Sequence, residues 1–168
     1  MKIDENDRLL FLKYALPCAG TLVRRGNVTQ QYVDSLISVV SAGETPVEDA
    51  QSMFKVANAM CSGIAERMGK EKVDCEVIRQ YFLLEHSEVV LDRYRLMKDF
   101  DPIDCNTYKG RVMSVDGGFA VVNTKLGERK YRTDFVPGIC AGDRVVVHWD
   151  FVVERVPQDF AARMGELE

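Results

Sequence analysis

Few side chains in this sequence are equipped for chemistry. There are two histidines, His86 and His148, and five cysteines, at positions 18, 61, 75, 105 and 140. No P-loop, G-x-G-x-x-G, G-x-S-x-G or H-E-x-x-H occurs. Phosphate-cradling loops, the strained serine turn of hydrolases and the paired-histidine zinc helix are therefore excluded. No two cysteines stand as C-x-x-C, which removes zinc ribbons and thioredoxin-like dithiols. What remains is thiolate with imidazole, a donor pair suited to a soft or borderline metal such as iron. Cys105 stands just before a strand-like run, in Asp104-Cys105-Asn106-Thr107-Tyr108-Lys109-Gly110-Arg111-Val112. His148 lies inside the apolar run Val145-Val146-Val147-His148-Trp149. An imidazole buried in such a strand is costly unless its nitrogens find partners. Cys105 and His148 are thus the candidate metal contacts, against the alternative of a structural histidine and an unrelated thiol.

The other candidates have plainer readings. His86 is expected as a partly exposed helix histidine. Cys75 shares its helix face, but at roughly 1.5 Å per residue the two lie about 16 Å apart along the axis, too far for one ion. Cys61 falls at a core position, Cys18 follows Pro17 at a helix end, and Cys140 is small filler in a glycine-bounded loop.

The elements that would carry these residues fall into two halves. Residues 1–99 show helical spacing. A first helix opens on Asp4, Glu5 and Asp7, whose charges complement the helix dipole, and is expected to stop at Pro17. A second runs from Val28 to Gly43. Thr45-Pro46-Val47-Glu48 reads as a capping box with proline at the first helical position, opening a helix that ends at Gly69. Asp74 reads as the N-cap of a fourth helix to about Met97, with Val73 and Ile78 spaced as a hydrophobic staple. Four such helices predict a helical bundle domain over 1–99.

Residues 100–168 change to strand periods. Arg111–Val115 and Phe119–Asn123 form a hairpin about Gly117-Gly118, because glycine supplies the positive φ that such turns need. A third strand is expected over Arg129–Phe135. Arg144–Val156 is the longest strand candidate, entered through the turn residues Gly142 and Asp143, and Pro157–Met164 makes a short closing helix. The fold class is therefore α+β: an all-α domain, then a small antiparallel β-barrel of the OB or SH3-like kind.

The composition sets outer limits. The 168 residues are 46% apolar and 29% charged, with net charge −4. That is globular composition, and it lacks the basic excess expected of a nucleic-acid binder. No run of about 18 apolar residues exists, and the opening residues are too acidic for a secretory signal, so a cytoplasmic protein with free thiols is expected.

The second half resembles the HypC/HupF family of hydrogenase assembly chaperones. Cys105, Gly110, Arg111 and Val112 keep that family's spacing from cysteine to glycine to basic residue to valine. Gly142-Asp143-Arg144-Val145-Val146-Val147-His148 matches its Gly-Asp-x-Val-x-Val-His segment. Phe151 matches its aromatic. The resemblance implies a HypC-like barrel over 100–168 and a non-enzymatic task, the holding and handing over of an iron unit of the Fe(CN)2CO kind. It implies Cys105 as the thiolate ligand and His148 as the second iron contact. The implied partners are a HypD-like iron carrier and the hydrogenase large subunit. Lys109, Arg111, Trp149 and Phe151 would serve docking, and Gly110, Gly117, Gly118, Gly142 and Asp143 would shape the turns. Residues 1–99 would select a client or pair two copies of the chain. In the family the cysteine is N-terminal and proline stands where this chain has Lys109. The alternative is an interaction module that kept the barrel without iron chemistry.

Overall fold

The computed structural model describes residues 1–94, 103–161 and 163. The chain forms two compact units, Met1–Phe82 and Leu83–Glu168. The expected boundary at 99/100 lies outside the described residues, as does the end of the fourth helix beyond Tyr94.

The first unit is helical: α1 (Arg8–Ala15), α2 (Ala19–Arg24), α3 (Gln30–Ser41), α4 (Lys55–Arg67) and α5 (Cys75–Arg79). Its interior is aromatic. Phe82 stacks on Tyr14 with centroids 4.9 Å apart and meets Phe11 edge-on at 6.0 Å. Phe11 in turn meets Phe54 at 6.4 Å. Around these pack Val33, Leu36 and Val40 of α3 and Cys61, Ile64 and Ala65 of α4, all buried. Such edge-on and stacked pairs add about 0.5–1.5 kcal/mol each beyond their area burial. The N-terminus of α5 is doubly capped: Asp74 Oδ1 accepts from Val77 N at 3.1 Å, as expected, and Asp7 Oδ2 accepts from Cys75 N at 3.0 Å. Val73 and Ile78 are both buried.

The first α-helix stops before Pro17 as expected, α1 closing at Ala15, but Leu16 keeps helical angles (φ −58°, ψ −36°) and the chain runs on through a 3-10 turn, Leu16–Cys18, into α2. Proline is tolerated there because the first N–H groups of a new turn need no partner within it. One expectation fails: the capping box at Thr45 does not form. Residues 45–49 are irregular and the chain enters α4 only at Lys55, after a 3-10 turn over Ala50–Met53. The cause is Arg8, whose guanidinium donates to Pro46 O at 3.0 Å and Glu48 O at 2.8 Å. Glu48 O also takes Ala50 N at 2.8 Å. These bonds hold the segment in a loop and outweigh a local signal worth about 1 kcal/mol.

The second unit begins with α6 (His86–Tyr94) and continues with β1 (Thr107–Asp116), β2 (Phe119–Thr124), β3 (Gly127–Arg132), β4 (Arg144–His148), β5 (Phe151–Arg155) and α7 (Gln158–Ala161). The strands close in the order β1-β2-β3-β5-β4. The barrel is mixed rather than antiparallel, since β3 pairs parallel to β5 at Arg132↔Phe151. The β1–β2 turn has the two expected glycines at φ +55° and +83°. The third strand stops at Arg132, three residues early, where Thr133 N turns to Gly118 O at 3.0 Å. The long strand expected over 144–156 is two strands. A two-residue turn, Trp149-Asp150, reverses the chain so that His148 pairs with Phe151. Trp149 has φ +50°, the one non-glycine with positive φ among the described residues. The local signal is Asp150, a turn-favouring residue set between two valine-rich stretches. The closing helix is seen over Gln158–Ala161; Pro157 precedes it, Arg163 is a turn residue, and residues 162 and 164 lie outside the described residues.

Gly110 is not a turn residue. It sits inside β1, paired with Thr124 and Val145. A Cβ there would press on Val122 Cγ1 and lie 2.8 Å from Asn123 O and 2.9 Å from Thr124 Cγ2. Its role is close approach of two strands, not φ freedom.

Candidate metal centre

Three donors converge within the second unit, each from a different element. His86 is the first residue of α6 and directly follows a π-helical stretch, Gln80–Glu85. Such stretches are rare and interrupt the α-helical phase, frequently at functional positions. His148 is the last residue of β4 and pairs with Thr107 at the start of β1. Cys105 sits two residues before that pair, in the turn leading into β1. The β1–β4 register therefore brings Cys105 and His148 together, although they stand far apart in the chain.

Cys105 Sγ lies 3.9 Å from His86 Nε2. The two imidazole rings are 5.3 Å apart and nearly perpendicular, at 82°. The ligand atoms of His86, Cys105 and His148 all fall within 4.8 Å of one another. A tetrahedral ion with a metal–sulfur bond of about 2.3 Å and metal–nitrogen bonds of about 2.0–2.1 Å spaces its ligands about 3.4–3.6 Å apart. The 3.9 Å between Cys105 Sγ and His86 Nε2 is close to that spacing.

All three are buried: His148 at 0% exposure, Cys105 at 4% and His86 at 6%. Burial holds the His86 pKa below its ordinary value. Its contact with Cys105 opposes that shift, and the neighbouring His148 adds to it. His86 is therefore neutral near pH 7, the form that can donate a lone pair to a metal. His148 Nε2 lies 3.0 Å from the Cys105 carbonyl oxygen. A carbonyl only accepts, so Nε2 carries the proton and Nδ1 is the nitrogen able to take an ion. Metal-binding histidines are commonly oriented by such a bond from the second ring nitrogen to a carbonyl.

The structure brings the expected pair, Cys105 and His148, together and adds His86, which sequence reasoning assigned to a partly exposed helix face. A signal existed in the buried Val90 four residues on, which shares its helix face. Without the π-helical stretch, however, the phase of that face could not be set. Among the other cysteines, Cys61 is buried, Cys18 and Cys75 are half-buried, and Cys140 is exposed rather than filling space.

The four docking residues have different surroundings. Arg111 is exposed on β1. Lys109 is half-buried with Nζ shielded from solvent, and Trp149 is half-buried with Nε1 shielded. Phe151 is buried, stacked on Phe135 at 4.7 Å, with the Arg132 guanidinium 4.6 Å from its ring centroid. Asp143 anchors the loop before β4, accepting Cys140 N at 3.1 Å and pairing with Arg155 at 3.4 Å. Gly142 supplies that loop's φ of +95°.

No helix among the described residues is long and apolar enough to cross a membrane. No protein-family model matches this chain, and no curated protein matches it.

Proposed function

We propose that this protein is a metallocentre-assembly chaperone of the HypC/HupF kind, holding one iron ion or iron unit at Cys105, His148 and His86 and passing it on through protein contacts. The observation that carries the reading is the convergence of one thiol and two imidazoles within 4.8 Å. Thiolate with imidazole favours a borderline or soft transition metal over magnesium or calcium. The strand order, with β3 parallel to β5, supports an OB-type barrel as the scaffold. An iron carrier of the HypD kind and a hydrogenase large subunit are the proposed partners, and the task involves no bond-making catalysis.

The deep burial of all three donors favours a second reading. In it the barrel is a docking module, and any ion it holds is structural and not exchanged. One experiment addresses both. The protein is prepared anaerobically, supplied with Fe(II), desalted and assayed for bound iron, with each cysteine replaced by serine in turn. About one iron per chain is expected in the wild type and none in Cys105→Ser. Equal iron in the two would overturn the chaperone reading. Iron that is retained but never passes to an added thiol-bearing acceptor would leave the docking module.

A further inference from the structure

One buried hydroxyl outside the donor trio bears on its geometry. Tyr108 OH donates to Ile103 O at 2.7 Å. The same carbonyl accepts Asn106 N at 3.4 Å, closing the four-residue turn Ile103–Asn106 with Cys105 at its third position. Tyr108 itself is buried, 8% exposed, in β1 opposite Val147, the residue before His148. From the other side, the Cys105 carbonyl receives His148 Nε2 at 3.0 Å. The Asp104–Arg129 pair at 3.4 Å is half-exposed on both sides and contributes little to fixing the turn.

We propose that Tyr108 is a positioning residue of the metal centre. Its hydroxyl fixes the turn that aims the Cys105 sulfur, and the same turn presents the carbonyl that sets the His148 tautomer. This rests on the metal reading above. Cys105 thereby serves the centre twice, through its sulfur and through its main chain, and the bond from Tyr108 supports both uses. Removing that hydroxyl leaves the ring, its packing and the Lys125 ammonium 5.2 Å from its centroid in place. The change therefore falls on orientation. Loss of an outer partner of a metal ligand typically costs 10–100-fold in metal affinity.

The test uses the full chain under anaerobic conditions with Co(II) as the probe, followed by thiolate-to-cobalt absorption. Tyr108→Phe should bind the same amount of cobalt 10–100-fold more weakly. The nitrogen NMR spectrum of His148 should change from a single Nε2–H tautomer toward a mixture. Unchanged affinity with an unchanged His148 spectrum overturns the role of Tyr108 while leaving the metal centre standing. A wild type that takes up no cobalt overturns the metal reading and the role of Tyr108 with it. Should the variant not fold, the metal-free wild type decides: His148 protonated on Nδ1 removes the carbonyl clamp on which the inference stands.

Discussion

Acid should destabilise the metal-free protein through His86, by an amount that the linkage between protonation and folding sets. Burial holds this imidazole below its ordinary pKa of 6.5, with the nearby His148 adding to that effect. The unfolded chain therefore binds a proton near pH 6.5 that the folded chain refuses. More protons bound in the unfolded state means that stability rises with pH across this window. The stabilisation is complete above pH 6.5 and is lost as pH falls from there toward the folded-state pKa. One proton at 1.36 kcal/mol per pH unit sets the ceiling on the loss between pH 7.5 and pH 5.0 at about 2 kcal/mol. Urea unfolding with chelator present, followed by the fluorescence of Trp149, the only tryptophan, reads the second unit. With a urea slope of about 1–3 kcal/mol per M, the midpoint should fall across that range, by no more than roughly 1 M for a mid-range slope. His86→Gln keeps a polar side chain but cannot titrate, and should lose most of this dependence whatever its stability at pH 7.5. Parallel pH profiles for the variant and the wild type would refute the assignment of a neutral buried imidazole at position 86.

Other substitutions probe the scaffold. Gly110→Ala should destabilise the barrel by about 1–3 kcal/mol, the usual cost of overpacking, because the added methyl meets the backbone oxygen of Asn123; unfolding midpoints unchanged from wild type would contradict the close approach. Arg8→Met removes both bonds to the 46–48 carbonyls and should cost about 1.5–3 kcal/mol, the range for hydrogen bonds to a charged group, with faster proteolysis near Val47. An unaltered digestion pattern would mean that Arg8 does not hold the loop. The Asp143 carboxyl is held below its ordinary range first by the Cys140 N–H and also by Arg155. Its contribution is present above about pH 4 and fades as pH falls through the lower folded value. Asp143→Asn should therefore flatten the acid limb of barrel stability below pH 4, which circular dichroism can follow.

The legible parts of the fold were those written in a few neighbouring residues. Asp74 caps α5 because its side chain needs only Val77 N, three residues on. Gly117 and Gly118 make the β1–β2 turn because they alone there reach positive φ without strain. The switch from helical to strand periods marks the change from helices to barrel. The candidate metal centre is legible in part: residue type and setting single out Cys105 and His148. Their meeting follows from the register Thr107↔His148, which the apolar pattern of β1 and β4 only constrains.

Where local and distant forces compete, the local signal lost. The capping box at Thr45 is intact as sequence, yet one guanidinium from α1 claims its carbonyls. The run 144–156 carries one turn-favouring residue, Asp150, at its centre, and the chain reverses there with Trp149 in a conformation it adopts only under tertiary constraint. The mixed closure of β3 on β5 is likewise a product of the whole barrel.

By itself, then, the sequence determined the element types, the two-part character of the chain and two of the three donors, because backbone preferences, caps and glycine turns act over a handful of residues. The tertiary structure alone decided that His86 joins Cys105 and His148, that Gly110 is a contact glycine and that the barrel is mixed. Those outcomes depend on which distant side chains exclude water together, and on a π-helical phase shift set by packing.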